Sequence, residues 1–451
     1  MHEVDLAVVG AGPAGMAAAG EAAQAGLRVA LFDAQTRPGG LVYRDIYHEE
    51  QEWEAALDAA ALEGRSLIAG LDQPGIKLVG GAEVLSVEPG FRLTYRQDAV
   101  ARTLRARRVL LATGGHERPM PVPGWTLSGV LTVGAGQILL KEAGLLPRRA
   151  VLLGTGPLLY LFAVQMLHAG VTPTALIDTQ TRGDLARAMC HLGGVFGGWP
   201  HLSEGWRMLR MLRRAGVPRI TAAHDVVIEG EERAEAVRFQ RRGAQHRLPC
   251  DAVFLHHGVE PNLQVSCALG LAHRWMPREH CFTPVCDIWG EAAATEAGLA
   301  GVFVAGDGAG IVGARAAGLQ GRLAALRVAE SLGRIDTGAR DALAAPLRRQ
   351  LRRALAVRPF LGAAYPPFAE ACGHERDATG PALGPALSRP PLGMVLPGGV
   401  PGGLAELAGS GGEAVANGAG ALSPGALGDG SPDAPEAEKI ATGPTCHAGR
   451  S

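Results

Sequence analysis

Short apolar runs that end at glycine-rich turns recur along the chain and set its expected architecture. Asp5-Leu6-Ala7-Val8-Val9 is rich in β-branched residues and has the length of a buried parallel strand. Gly10-Ala11-Gly12-Pro13-Ala14-Gly15 follows, then an alanine-rich helix over 17–25 that stops at Gly26. Leu27 to Phe32 predicts a second strand, with Asp33 at its end. The same punctuation returns at Arg107–Ala112 before Thr113-Gly114, at Ala150–Leu153 before Gly154-Thr155-Gly156, and at 174–177 before Asp178. It returns again at Asp251–Leu255 before His256-His257, and at Gly301–Ala305 before Gly306-Asp307, with a helix from Ala314. Strands alternating with helices predict an α/β chain built on parallel sheets.

The first loop carries chemistry. Residues 10–15 match G-x-G-x-x-G, with Pro13 and Ala14 between the second and third glycines. Gly10 permits the tight turn, Gly12 lets a pyrophosphate approach the backbone, and Gly15 lets helix and strand pack closely. The phosphates then lie at a helix N-terminus, where free N–H groups and the helix dipole favour negative charge. Asp33 stands 18 residues after Gly15 and can accept bonds from ribose hydroxyls, which favours FAD or NAD over NADP.

Ala150 to Leu159 repeats the strand and loop, so the dinucleotide-binding unit is internally duplicated. Here Leu159 replaces the third glycine, while Gly154, Gly156 and Asp178 stand where a second nucleotide would be held. Two readings stay open: NAD binding, or a retained fold whose ligand is lost or altered. The adjacent His256 and His257 point to opposite faces of a strand and make a poor chelating pair. They read as histidines satisfied in a core or turn. Cys281 and Cys286 lie away from the first loop and from the start of the second unit, so no redox role is assigned to them. No C-x-x-C pair supports zinc, and no nucleophile elbow supports a Ser-His-Asp site.

Composition removes further classes. The 451 residues are 47% hydrophobic and 19% charged, with 43 Lys+Arg against 44 Asp+Glu. A net charge of -1 lacks the basic excess of a nucleic-acid binder. The length predicts two or three domains, and seven cysteines are too few for a disulfide scaffold. The first residues have no basic region of a signal peptide. The uncharged run from Ala150 to Val171, interrupted by His168, is broken near its start by Gly154-Thr155-Gly156-Pro157. It reads as strand, turn and helix rather than a membrane span. The expectation is a cytoplasmic protein without a transmembrane segment.

The stretches at 107–114 and 301–307 resemble two signatures of FAD-dependent flavoproteins of the pyridine-nucleotide-disulfide oxidoreductase type, with two Rossmann-like domains as in glutathione reductase. That resemblance implies that Thr113, Gly114, Gly306 and Asp307 meet FAD and that the helix from Ala314 points at the flavin ring. Gly39-Gly40-Leu41-Val42-Tyr43-Arg44 stands where a narrower group has Gly-Gly-Gln-Ile-Tyr-Arg. With Gly115–Pro119, Pro123–Leu127, Gly136–Lys141 and Gly258–Asn262, it is similar to the alpha subunits of opine oxidase, D-hydroxyproline dehydrogenase, dye-linked proline dehydrogenase and hydrogen cyanide synthase. The match spans residues 4–368 and adds Gly39, Gly40, Tyr43 and Arg44 to the FAD site; Leu41 replaces a polar side chain there.

In that group a separate beta subunit with its own FAD oxidises the amine, and the alpha subunit transfers electrons, often with a [2Fe-2S] centre. The resemblance therefore implies two partners: a small iron–sulfur protein, and an amine-oxidising FAD subunit. It also allows peripheral placement at the inner face of the membrane through them. No catalytic residue is assigned to this chain and no metal site is expected. Residues 1–145 and 285–345 are expected to form a discontinuous FAD domain, 146–284 a second domain resembling an NAD-binding one, and 346–368 a helical extension. Residues 369–451 hold no aromatic residue and read as a disordered tail. With only Cys372 and Cys446 there, the segment cannot build the group's four-cysteine cluster domain; a displaced reading frame in GC-rich DNA is a sharper account. A self-contained NADH-dependent flavin reductase and a non-catalytic scaffold subunit remain as alternatives.

Overall fold

A computed structural model of the chain describes residues 3–44, 58–191, 193, 199–293, 300–368 and 438–439. The expected tail, 369–451, lies outside the described residues apart from Glu438–Lys439, as do its two cysteines.

The first sheet grows from the predicted strand–loop–helix. β1 (Glu3–Val9) runs into α1 (Pro13–Gln24) and returns as β2 (Val29–Phe32), parallel to β1 with Leu6 opposite Val29. β3 (Ile76–Val79) extends the parallel edge. β4 (Ala82–Glu88), β5 (Arg92–Gln97) and β6 (Val100–Leu111) form an antiparallel meander whose last strand lies parallel to β1 on its other side. Successive residues of β1 point to opposite faces. Leu6 and Val8 join the alanine face of α1 in one core. Ala7 and Val9 join Phe32, Leu93 and Tyr95 in another, where the Phe32 and Tyr95 rings lie 4.9 Å apart.

A second sheet repeats the plan. β7 (Val130–Thr132) leads into α2 (Val133–Ala143); β8 (Ala150–Gly154) leads through the second glycine loop into α3 (Pro157–His168). β9 (Ala175–Asp178), β10 (Arg219–Thr221) and β11 (Ala252–His256) complete five parallel strands in the order β10-β9-β8-β11-β7. α4 (Arg182–Met189) follows β9. A three-stranded antiparallel sheet over 224–249 covers the face that carries Val151 and Leu153. The uncharged run at 150–171 is thus a strand, a turn and a twelve-residue helix. Among the described residues no helix is long and apolar enough to cross a membrane.

The chain then returns to the first sheet. β12 (Val302–Val304) pairs with β6 in parallel, so the first unit is discontinuous. It leads into α5 (Ala314–Ser331), followed by α6 (Thr337–Leu355) and α7 (Arg358–Ala364). Two expected boundaries move. β7 and α2 belong to the second sheet and its core, ahead of the division drawn at 145, because a three-residue strand among glycines gives no pattern to read. The division at 345 falls inside α6, which tolerates Pro346 in its middle.

α1 and α5 pack so closely that a Cβ at Gly321 would lie 2.0 Å from the Ala14 carbonyl oxygen, whereas one at Gly318 would meet its nearest atom at 3.8 Å. Gly321→Ala should therefore destabilise the chain by more than about 2 kcal/mol through a backbone clash. Gly318→Ala should be neutral or stabilising by up to about 1 kcal/mol, from helix propensity. Urea-unfolding midpoints of the two variants check the contrast.

Candidate functional site

Four segments separated in sequence meet at the C-terminal end of β1, and glycines set their spacing. Gly10 has φ +105, a conformation that L side chains rarely adopt, and a Cβ there would lie 2.2 Å from the Ala112 carbonyl oxygen. A Cβ at Gly15 would lie 1.8 Å from the Gly10 oxygen, which is the close approach of helix to strand. A Cβ at Gly40 would reach within 2.9 Å of the Gly12 Cα, and one at Gly306 within 2.8 Å of the Ala14 Cβ. A Cβ at Gly308 would come within 3.2 Å of the Thr113 hydroxyl. Gly12 differs: only the Gly40 Cα, at 3.9 Å, lies near its virtual Cβ, so the loop is open there. It is the N-cap of α1 and supplies no side-chain cap, with Pro13 at the first helical position.

Asp33 ties the acid to the loop. Its Oδ2 accepts from the Ala11 N–H at 2.6 Å and its Oδ1 from the Gln35 N–H at 2.8 Å. Burial raises this carboxyl above its ordinary value, with the two amide donors working in the opposite direction. Gly39 donates its N–H to the Ala11 oxygen at 2.9 Å, which places 39–44 beside the loop. Arg44 bonds Gln35 at 2.6 Å and pairs with Glu142 of α2 at 2.6 Å, so this segment also touches the second unit. Tyr43 is buried, whereas Leu41 and Val42 are exposed.

Asp307 closes the group. Its Oδ1 accepts from the N–H groups of Val312 and Gly313 at 2.8 and 3.0 Å, fixing the turn that starts α5 at Ala314. The Gly306 N–H donates to Gln320 at 3.0 Å, and the Thr113 hydroxyl donates to the Asn262 oxygen at 3.2 Å. Asn262 in turn donates its N–H to the Gly114 oxygen at 2.9 Å. These roles of Gln320 and Asn262 are not legible in the sequence, because their partners are too far along the chain for a local pattern to show them.

The second loop has the same backbone and different surroundings. A Cβ at Gly154 would lie 1.7 Å from the His256 oxygen, the counterpart of Gly10 against Ala112. Leu159, in the third glycine's place, is fully buried. Asp178 is 0% exposed. Its Oδ1 accepts from the Gln180 N–H at 2.9 Å, and its Oδ2 accepts from the Tyr160 hydroxyl and from Arg219 at 2.9 Å. Arg219 also donates to the Tyr160 oxygen at 2.8 Å. Neither Tyr160 nor Arg219 carries a motif that would have found it.

The two adjacent histidines face different partners. His256 sits 2.6 Å from Glu117, whose other oxygen accepts from the Gly134 N–H at the start of α2 at 2.5 Å. The sequence offers no acid/base pair; this one is assembled across 139 residues and lies buried, with side-chain exposures of 3% and 11%. His257 places its Nε2 2.6 Å from the Pro119 oxygen and accepts at Nδ1 from the Phe368 N–H at 3.2 Å, so its ring is the neutral Nε2–H tautomer. Cys281 and Cys286 are free thiols pushed up to about 11 by burial, which suits structure rather than thiolate chemistry. Among the described residues no group of His, Cys, Asp and Glu is placed to hold a metal ion.

This architecture agrees with the comparisons. The chain belongs to the pyridine nucleotide-disulphide oxidoreductase family, whose model matches residues 4–333. It is an FAD-dependent oxidoreductase. It is 39% identical over 372 residues to an opine oxidase subunit from Rhizobium meliloti, covering 80% of this chain and 69% of that one. It is 33% identical to hydrogen cyanide synthase subunit HcnB of Pseudomonas aeruginosa, over 71% of this chain and 70% of the relative. In fold it matches the L-proline dehydrogenase from P. horikoshii with a TM-score of 0.54 at 19% identity, over 78% of this chain and 58% of that chain.

Burial lowers His257 from 6.5 to about 4. The unfolded chain therefore takes up the proton first, and the stability from this site is lost as pH falls from about 6.5 toward about 4. From about pH 7 to about pH 5 the site should cost roughly 2 kcal/mol. His257→Gln, which can donate to Pro119 and accept from Phe368, should show a smaller drop in urea midpoint over that range.

Proposed function

We propose that this chain is the electron-transferring flavoprotein subunit of a heteromeric dehydrogenase acting on amino acids, opines or hydroxyproline. The observation that carries the reading is the open space at Gly12, ringed by the four segments that close contacts between backbones bring together. FAD fits that cradle. Its pyrophosphate would meet the first turn of α1 at Gly10, Gly12, Pro13, Ala14 and Gly15, where the N–H groups have no side-chain cap. Asp33 would take ribose hydroxyls with the lone pairs that its two amide donors leave. Gly39, Gly40, Tyr43 and Arg44 would flank the adenosine side, Thr113 and Gly114 the flavin side, and Gly306, Asp307 and Ala314 would close the ribityl and pyrophosphate end. Bound there, FAD supplies a two-electron carrier, and the protein's part is to hold and orient it.

On this reading the flavin unit comprises the first sheet with its returning strand, and the second sheet forms the unit that resembles an NAD-binding domain. On this reading the amine is oxidised by a partner subunit. The relatives named as subunits of opine oxidase and of hydrogen cyanide synthase support an assembly of this kind. A small iron–sulfur protein would complete it.

Two experiments test the reading. Gly12→Val should keep its far-ultraviolet circular dichroism, because the position is open, and should purify colourless because a side chain there intrudes on the pyrophosphate; a yellow variant would refute the placement. In an anaerobic titration near 450 nm, the wild-type flavin should bleach when proline, hydroxyproline or an opine is added together with the partner subunit. Failure with every such amine, while the protein is yellow, removes the proposed substrate class.

A further inference from the structure

In a doubly wound unit a nucleotide lies across the C-terminal ends of the strands, over the glycine loop. In the second unit those ends are Gly154, Asp178 and His256, and all three are buried. On the Asp178 side the cover comes from the segment 358–368. Gln180, two residues beyond Asp178, donates its amide to the Ala364 oxygen at 2.7 Å. The Tyr365 phenol bonds Gln180 and lies within electrostatic reach of Asp178 and Arg219. Phe368 donates its N–H to His257 and packs its ring into the core that holds Ile177 and Leu255. At the other end of the segment, Arg358 lies within reach of the Asp307 and Glu279 carboxylates. The segment thus brings the Arg358 charge within electrostatic reach of the closing turn of the flavin unit at one end and packs against the second sheet at the other.

Beneath this cover the acid of the second unit is already used. The acid at the end of β9 has no exposed surface and is bonded by Tyr160, Arg219 and the Gln180 amide. The His256 ring lies 3.3 Å from where a Cβ of Gly156 would stand; the matching position in the first loop, Gly12, meets nothing nearer than 3.9 Å. Thr155 in the loop is 1% exposed. The family's pyridine nucleotide therefore does not fit the residues present, whereas its flavin does.

We infer that the second unit is closed to nicotinamide dinucleotides by the chain's own segment 358–368, seated over a Tyr160–Arg219–Asp178 cluster. The closure stands on these contacts alone. Its consequence rests on the proposed function: electrons reach the flavin from a protein-bound donor and not from diffusible NADH.

Calorimetric titration of the full-length chain with NADH, and separately with NAD, measures the closure without reference to flavin or turnover. No saturable binding is expected up to roughly 1 mM; saturable binding in the micromolar range overturns it. Amide hydrogen exchange supplies the second measurement. Residues 358–368 should exchange slowly in the wild type and at least about tenfold faster in Tyr365→Ala/Phe368→Ala, together with 178–180. Free exchange of 358–368 in the wild type would show that the segment is not seated, and would also overturn the inference. A yellow chain that binds NADH refutes the closure and leaves the flavin placement intact; a colourless chain that ignores NADH does the reverse.

Discussion

α1 is held from two sides by carbonyl oxygens that leave no room for a side chain. The Gly10 oxygen presses on Gly15 from the strand side, and the Ala14 oxygen of α1 itself presses on Gly321 of α5. These contacts decide where the N-terminus of α1 sits relative to β1, and everything at the site is measured from that point. Gly40 and Gly306 then bring two more segments against the same turn. Because the contacts are made by backbone and by alanine methyls, they have no rotamers through which to relax. The cradle is accordingly a property of the scaffold, and its chemistry depends on groups held by main chain: amide donors, the Asp33 carboxylate and the Asp307 carboxylate.

The two units share a backbone plan and diverge at the same three places. In the first, the acid after the second strand is partly exposed and bonded by amides, the middle glycine faces open space, and the third glycine admits the helix. In the second, the acid is buried under Arg219 and Tyr160, the middle glycine faces an imidazole, and Leu159 fills the third position. A buried carboxylate needs partners to offset its desolvation. Tyr160 and Arg219 provide them from within the fold, so no ligand is required to satisfy this carboxylate.

What was legible in the sequence was local. The glycine loops and the placement of Asp33 and Asp307 beside them could be read because each follows from a backbone turn and its position after a strand. The strand ends shifted by one residue at Asp178 and His256, and α1 began at Pro13 rather than Ala17, which leaves the chemistry unchanged. The rest depended on contacts between distant residues. Val130–Thr132 gives three residues of pattern, too few to announce a strand, yet it joins β11 and moves the boundary of the second unit. Glu117 meets His256, and Phe368 meets His257, across more than a hundred residues. The sequence therefore showed two histidines with opposite faces but not what each one faces.

The same distinction bears on how the molecule divides its work. A nucleotide loop can persist as architecture after its binding groups are redirected, because the turn at Gly154 is still needed to pass the chain from β8 to α3 beside the His256 backbone. Selection on packing alone keeps that glycine, while Asp178 and the ends of the strands become free to anchor another element. Segment 358–368 uses that freedom: Arg358 at one end lies within electrostatic reach of Asp307 of the flavin unit, and Phe368 at the other packs on the second sheet. The segment that meets Gln180 and His257 is therefore also one of those that reach the flavin unit, as Arg44 does through Glu142.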